Sequence, residues 1–287
     1  MALTEIEGRT YGPFAYTVDG SKIDEFVSAT SDDPDRWRGV APPGFGASLL
    51  FAAAPSFFAD PTVGPYTSIL LHTDQHFTWR APIRSGDVLS VAGTIDTVRE
   101  RAGLNMVTFI VEAQRNSDTV LASVSTFMMS DATPAAETVE ETEPPHDARG
   151  PNEVPRSAEL PADGDPLPRL AKSASRSDLV RYAGATGDFN PLHWDHAAAR
   201  AAGMPGVVVH GLLMASWFAQ SAARFAGGPS PLNELRVRFR RPLRPGVAAV
   251  ITGDVVEREG PRARIKGSVS AGDAELVVGG ATIRLDG

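Results

Sequence analysis

The stretch Tyr182-Ala183-Gly184-Ala185-Thr186-Gly187-Asp188-Phe189-Asn190-Pro191-Leu192-His193-Trp194-Asp195 carries the densest information in this chain. Gly187 and the Asn190-Pro191 pair stop the preceding helix and turn the chain sharply. Asp188 and His193 then share one loop, five residues apart, and the turn between them lets both side chains converge on one small volume. A carboxylate beside an imidazole supplies an acid and a base near neutral pH. Asn190, between them, can hold the loop or a water through its amide. Taken singly, such an Asp is most often a turn cap and such a His a satisfied core residue. It is the string as a whole that points to chemistry.

Downstream, Pro205-Gly206-Val207-Val208-Val209-His210-Gly211 leads into an apolar helix expected over about Gly211–Phe225. Leu212, Leu213, Met214, Trp217 and Phe218 cover most of its circumference, so other structure should wrap it. Backbone N–H groups at a helix N-terminus are unpaired and receive anions readily. The amide of Gly211, with His210 beside it, is therefore a candidate for binding a developing oxyanion or the substrate.

Together the two stretches resemble the MaoC-like, R-specific enoyl-CoA hydratase family (hydratase 2) of the hot-dog fold. That family's pattern is Tyr-Ala-x-x-[Ser/Thr]-Gly-Asp-x-Asn-Pro-[Leu/Ile]-His-x-Asp, then His-Gly downstream. Every element of it is present between Tyr182 and Gly211, and the resemblance covers roughly residues 165–287. It implies that Asp188 and His193 hold the water that adds to, or leaves, C3 of an acyl thioester, with the Gly211 amide on the oxyanion. In dehydration one of the pair removes the C2 proton while the other assists departure of the C3 hydroxyl. His193 is favoured as the C2 base, and the residues alone leave that division open.

The first half reads as a divergent copy of the second. Pro82-Ile83-Arg84-Ser85-Gly86 matches Pro242-Leu243-Arg244-Pro245-Gly246 at an offset of 242 − 82 = 160, and Phe77, Trp79 and Gly93 match Val237, Phe239 and Gly253 at the same offset. Ile23, Phe26, Thr30 and Asp32 match Leu179, Tyr182, Thr186 and Asp188 at 188 − 32 = 156. Two stable offsets argue for duplication. Each copy should run from a short helix (Ser21–Thr30, Ser177–Ala185, the latter capped by Ser177) through an apolar helix to strands. The strands are expected near Thr73–Trp79, Val88–Arg99, Leu104–Arg115 and Thr119–Met129, then Leu232–Arg240, Ala248–Arg258, Arg262–Ala271 and Leu276–Leu285. Leu235, Val237 and Phe239 alternate with arginines, the period of a half-buried strand. Pro55 should kink or end the first apolar helix. The expected fold is α+β, a double hot-dog in which each curved antiparallel sheet wraps a central helix.

Thr73-Asp74-Gln75-His76-Phe77-Thr78-Trp79-Arg80-Ala81-Pro82-Ile83-Arg84-Ser85-Gly86-Asp87 and Val98-Arg99-Glu100-Arg101-Ala102-Gly103 make the first copy resemble the FAS1-like dehydratase N-terminal domain, over roughly residues 5–130. The chain is thus similar to a fusion of the two subunits of mycobacterial-type 3-hydroxyacyl-ACP dehydratases. At the offset of 156, His193 corresponds to Trp37, so the first copy keeps the carboxylate of Asp32 and lacks the imidazole. It also lacks a His-Gly before its apolar helix, where Pro43-Gly44-Phe45-Gly46-Ala47-Ser48 stands instead. We expect residues 1–131 to be a substrate-binding hot-dog with a degenerate site, and residues 165–287 to be the catalytic hot-dog. Positions along the first apolar helix, such as Ala53, should tune acyl-chain preference.

Between them, residues 132–164 carry six prolines and eight acidic residues against Arg149 and Arg156, a net 2 − 8 = −6. That composition reads as a disordered acidic linker. The whole chain, at −8, shows no basic footprint for nucleic acid. With no cysteine, disulfides and thiolate chemistry are excluded, which fits a reducing cytoplasm. No signal peptide or membrane span is legible. His193-Trp194-Asp195-His196 is too tightly spaced for a metal cluster, and no metal or cofactor is expected. Arg236, Arg238, Arg240, Arg241 and Arg244 form a basic strand and turn, of which Arg238, Arg240 and Arg241 are candidates for the phosphates of CoA or of a carrier protein's arm. The leading function is interconversion of trans-2-enoyl and (R)-3-hydroxyacyl thioesters of CoA or acyl carrier protein, by syn addition or elimination of water. An acyl-CoA thioesterase and a non-catalytic acyl-thioester-binding protein are the competing classes, because one fold hosts several chemistries. The two units can pair within one chain, and a homodimer of such chains is equally compatible.

Overall fold

A computed structural model describes residues 3–132, 161–226 and 229–285. The expected linker falls almost wholly outside the described residues. Its last four positions do not, and they correct the boundary. The Gly164 amide donates to Val255 O at 2.8 Å, and Pro161 O accepts from Arg258. Residues 161–164 are therefore part of the second unit, tied to its sheet by one backbone hydrogen bond and one from the Arg258 side chain.

The first unit contains β1 (Thr10–Thr17), α1 (Gly20–Ala29), α2 (Gly46–Phe58), β2 (Ile69–Trp79), β3 (Val88–Arg101), β4 (Leu104–Arg115) and β5 (Asp118–Ser130). The second contains β6 (Leu170–Lys172), α3 (Arg176–Thr186), α4 (His196–Ala201), α5 (Gly211–Ala223), β7 (Leu232–Phe239), β8 (Ala249–Glu259), β9 (Arg262–Ala271) and β10 (Ala274–Arg284). The sequence patterns missed β1, β6 and α4, which are short or lack clean alternation. α3 starts earlier than expected. Ser175, not Ser177, is its N-cap, in a reciprocal capping box with Asp178.

All ten strands form one antiparallel sheet in the order β1-β3-β4-β5-β2-β7-β10-β9-β8-β6. Read from the centre outward, the halves are copies of each other, and they join where β2 pairs with β7. In that seam His76 lies opposite Arg236, and 236 − 76 = 160. Two equivalent residues facing each other mark a pseudo-two-fold axis, at the same offset that relates the strands in sequence. The central helices obey a different offset, 211 − 46 = 223 − 58 = 165. The second unit's longer connection, containing α4, accounts for the change.

Each half of the sheet curves around its own helix. In β4, Val107, Phe109, Val111 and Ala113 all point inward, and Phe57 of α2 stacks on Phe109 at 4.6 Å. Burial of each such large side chain contributes roughly 1.5–3 kcal/mol. Gly93 is required beside them, because a Cβ there would lie 2.2 Å from the Phe109 ring. α5 is buried along almost its whole length, as its all-round apolar sequence demands. Pro55 does not end α2, which runs on to Phe58 and matches α5 residue for residue in length. Among the described residues, no helix is long and apolar enough to cross a membrane.

Candidate active site

α3 ends on Gly187, whose φ of +84° turns the chain at little cost because glycine has no Cβ. The loop that follows is held by its own polar groups. The Asp188 amide donates to Thr186 Oγ1 at 3.2 Å, the Asn190 amide to Asp188 Oδ1 at 3.3 Å, and the Leu192 amide to Asn190 Oδ1 at 3.2 Å. Asn190 thus caps the single turn Pro191–His193 and brings His193 back toward Asp188.

The structure brings Asp188, His193 and His210 together, with one ligating atom of each within 4.8 Å of the others. His193 Nδ1 lies 2.8 Å from Val208 O. A carbonyl only accepts, so Nδ1 carries the proton and Nε2 is left as the basic atom. Asp188 is 7 % exposed, and burial pushes its carboxyl above the ordinary carboxylate range while the nearby His193 pulls the other way. The three side chains are the right types for a metal. The His193 and His210 rings stack at 3.7 Å and 22°.

His210 corrects the sequence expectation. It is fully buried and lines no part of the cavity described below. It lies behind His193, with Nε2 at 3.3 Å from Asp188 O and its ring 4.9 Å from Tyr182. Burial pushes its imidazole well below the usual histidine range, with His193 adding to the effect. The ring packs against the loop between Asp188 and His193. Gly211 does reach the cavity, at the first turn of α5, where a Cβ would press on the Phe239 ring at 3.0 Å.

A cavity of about 810 Å³ opens from Asp188, Asn190 and His193. Its far wall comes from the first unit: Phe51, Pro55 and Phe58 of α2, Leu70 and His72 of β2, and Phe127 of β5. Sequence reasoning assigned the first unit a binding role and singled out Pro55, but did not name the other five. Ala53, which it did name, is fully buried in the first unit's core and faces away from the cavity. His72 sits between Phe127 and Phe239, at 4.7 and 5.0 Å between ring centres, and burial pushes it down to about 4. Arg240 and Arg241 line the cavity and are exposed. Arg238 does not line it, because its side chain points across the seam to Asp74, with Nε 2.9 Å from the carboxylate.

In the first unit, the equivalents of the Asp188–His193 pair bond to each other. Trp37 Nε1 donates to Asp32 Oδ2 at 2.9 Å. Phe45 stands before α2 where His210 stands before α5, since 210 − 45 = 165.

Comparison with known proteins agrees with this architecture. Residues 157–275 match the family described as MaoC like domain, and residues 5–120 match the FAS1-like, dehydratase domain region. A UPF0336 protein of Streptomyces griseus is 38% identical over 121 residues, covering 37% of this chain and 81% of that protein. The 3-hydroxyacyl-thioester dehydratase X of Mycobacterium tuberculosis is 29% identical over 175 residues, covering 60% of this chain and 55% of that protein. Among solved structures, a MaoC-like dehydratase superposes with a TM-score of 0.81 at 24% identity, covering 99% of each chain. The chain has a double hot-dog fold and joins a FAS1-like, dehydratase domain region to a MaoC like domain.

Proposed function

We propose that this protein is an R-specific hydratase/dehydratase that interconverts trans-2-enoyl and (R)-3-hydroxyacyl thioesters. The observation that carries the reading is the placement of Asp188 and His193 at one end of a cavity whose far wall is apolar. An acyl chain lies against Phe51, Phe58, Leu70 and Phe127, which puts C2 and C3 beside the polar pair. In dehydration His193 Nε2 takes the C2 proton. Asp188, whose carboxyl is held above the ordinary carboxylate range by burial, delivers a proton to the departing C3 hydroxyl. Hydration runs the same steps backward. Because both groups come from one loop, they act on one face of the substrate, which makes the addition syn. The Gly211 amide, at the positive end of α5, meets the enolate oxygen.

The two units divide the work. The second carries the reacting groups, and the first supplies the surface along which the acyl chain lies. The Arg240 and Arg241 guanidinium groups are placed to meet the phosphates of CoA or of a carrier protein's arm. The experiment is a panel of short, long and ring-bearing trans-2-enoyl-CoA thioesters, followed by the absorbance of the conjugated double bond. Loss of that absorbance, with an (R)-3-hydroxyacyl product, is the expected result. Release of free thiol would make the protein a thioesterase, and binding without any change would make it a non-catalytic acyl binder.

A further inference from the structure

The pseudo-two-fold axis generates a second place where an acyl chain could lie, related to the first by exchanging α2 for α5. In the working half, Phe51, Pro55, Phe58 and Ala59 form the cavity's α2 wall. At the helix offset of 165 their counterparts are Ser216, Gln220, Ala223 and Arg224. The two sets have opposite surroundings. Pro55 and Ala59 are exposed and Phe51 and Phe58 partly so, whereas all four counterparts are buried.

Polar groups close the space on that side. Gln220 Nε2 donates to Thr30 O at 3.1 Å, and Thr30 corresponds to Thr186 beside the working loop. Lys172, 2 % exposed, comes from β6 and donates to the carbonyls of Thr30 and Ser31. Arg224 is buried close enough to Asp32 for the two charges to interact. Gln220 Oε1 and Arg224 Nη2 have no hydrogen-bond partner among the described residues and no exposed surface. Leaving such atoms unpaired is costly, and packing alone does not require them there.

We infer that Gln220, Arg224 and Lys172 seal the first unit's half-site, so that these side chains, together with the open apolar wall of α2, dictate a single acyl channel per chain. Loss of the imidazole at Trp37 removes chemistry from the second half-site, and the seal removes binding from it as well. The seal is therefore a determinant of specificity. It forces every acyl chain into the channel that ends at Asp188 and His193, and no chain is held unproductively on the other side. This inference rests on the acyl-thioester reading above.

The test is calorimetric, with decanoyl-CoA as the probe because it lacks the double bond and the 3-hydroxyl and does not react. The wild-type chain should bind one equivalent. The Gln220→Ala/Arg224→Ala double variant should bind two, the second more weakly. The reciprocal exchange, Pro55→Gln/Ala59→Arg, should install the seal in the working half and lower the ratio of decanoyl-CoA to butyryl-CoA affinity about ten-fold, since each methylene buried in the channel adds to binding. Two equivalents in the wild type would overturn the seal. So would one equivalent in the folded double variant, or an unchanged chain-length ratio in the reciprocal variant. If the double variant does not fold, the reciprocal exchange decides. A wild-type chain that binds no acyl-CoA would remove the acyl-thioester reading and the seal with it, an outcome distinct from the other three.

Discussion

Asp188 is placed where its charge is costly, and this has two opposite consequences. Burial raises its pKa in the folded chain above the unfolded value, so the folded state holds that proton more tightly. As pH rises from the ordinary carboxylate range through the raised value, ionisation of Asp188 removes stability, and the loss persists at neutral pH. Asp188→Asn should therefore melt at a higher temperature than wild type at neutral pH, and differential scanning calorimetry should show the gap closing below the ordinary carboxylate range. The same variant should lose about 10²–10⁴-fold in turnover, the usual range for a lost proton-transfer group. Equal melting curves at neutral pH would show that the carboxylate is better solvated than its burial implies. The counterpart Asp32→Asn should leave turnover nearly unchanged, because Asp32 faces Trp37 and no imidazole. The pair Asp188 and His193 was legible in sequence because both residues sit on one short loop. The place of His210 was not: its stacking on His193 depends on how the loop after α3 folds back over the start of α5.

The helices show what each pattern could and could not reveal. The apolar sequence of α5 announced its burial from every side. The start of α3 was misplaced by two residues because Ser175 and Ser177 are equally good caps by type, and only the reciprocal bonds with Asp178 separate them. Ser175→Ala should cost about 1 kcal/mol of stability, within the usual range for a lost N-cap, and chemical denaturation would register it as a lower midpoint with unchanged slope. In α2 the sequence named a helix that borders the cavity but not the face that does so. Ala53 points into the core, so Ala53→Trp should destabilise by overpacking instead of tuning chain length. Phe58 borders the cavity, and Phe58→Ala should enlarge it and shift kcat/KM toward bulkier enoyl-CoA substrates. An unchanged substrate profile in a folded Phe58→Ala variant would mean that the chain takes another path.

At the scale of the whole molecule, one seam makes the site possible. β2 and β7 pair across the pseudo-two-fold axis, and the cavity lies where the two units meet, with Asp188 and His193 from one and the apolar wall from the other. The duplication and the double hot-dog were readable from two repeat offsets and two stretches of motif. The cavity was not, since no local pattern records which side of a symmetric sheet stays open. It follows that the reacting loop and the acyl wall should fail in separable ways: changes on α2 should alter which thioester is chosen, and changes at Asp188 or His193 should alter how fast any of them reacts. The most direct measurement is the absorbance of a trans-2-enoyl-CoA thioester mixed with wild-type protein and, in parallel, with folded His193→Gln. We expect prompt loss of the conjugated double bond with wild type, formation of the (R)-3-hydroxyacyl thioester, and a rate lower by about 10²-fold or more in the variant. Equal rates in the two proteins, or no loss of the double bond with any chain length in wild type, would contradict this expectation.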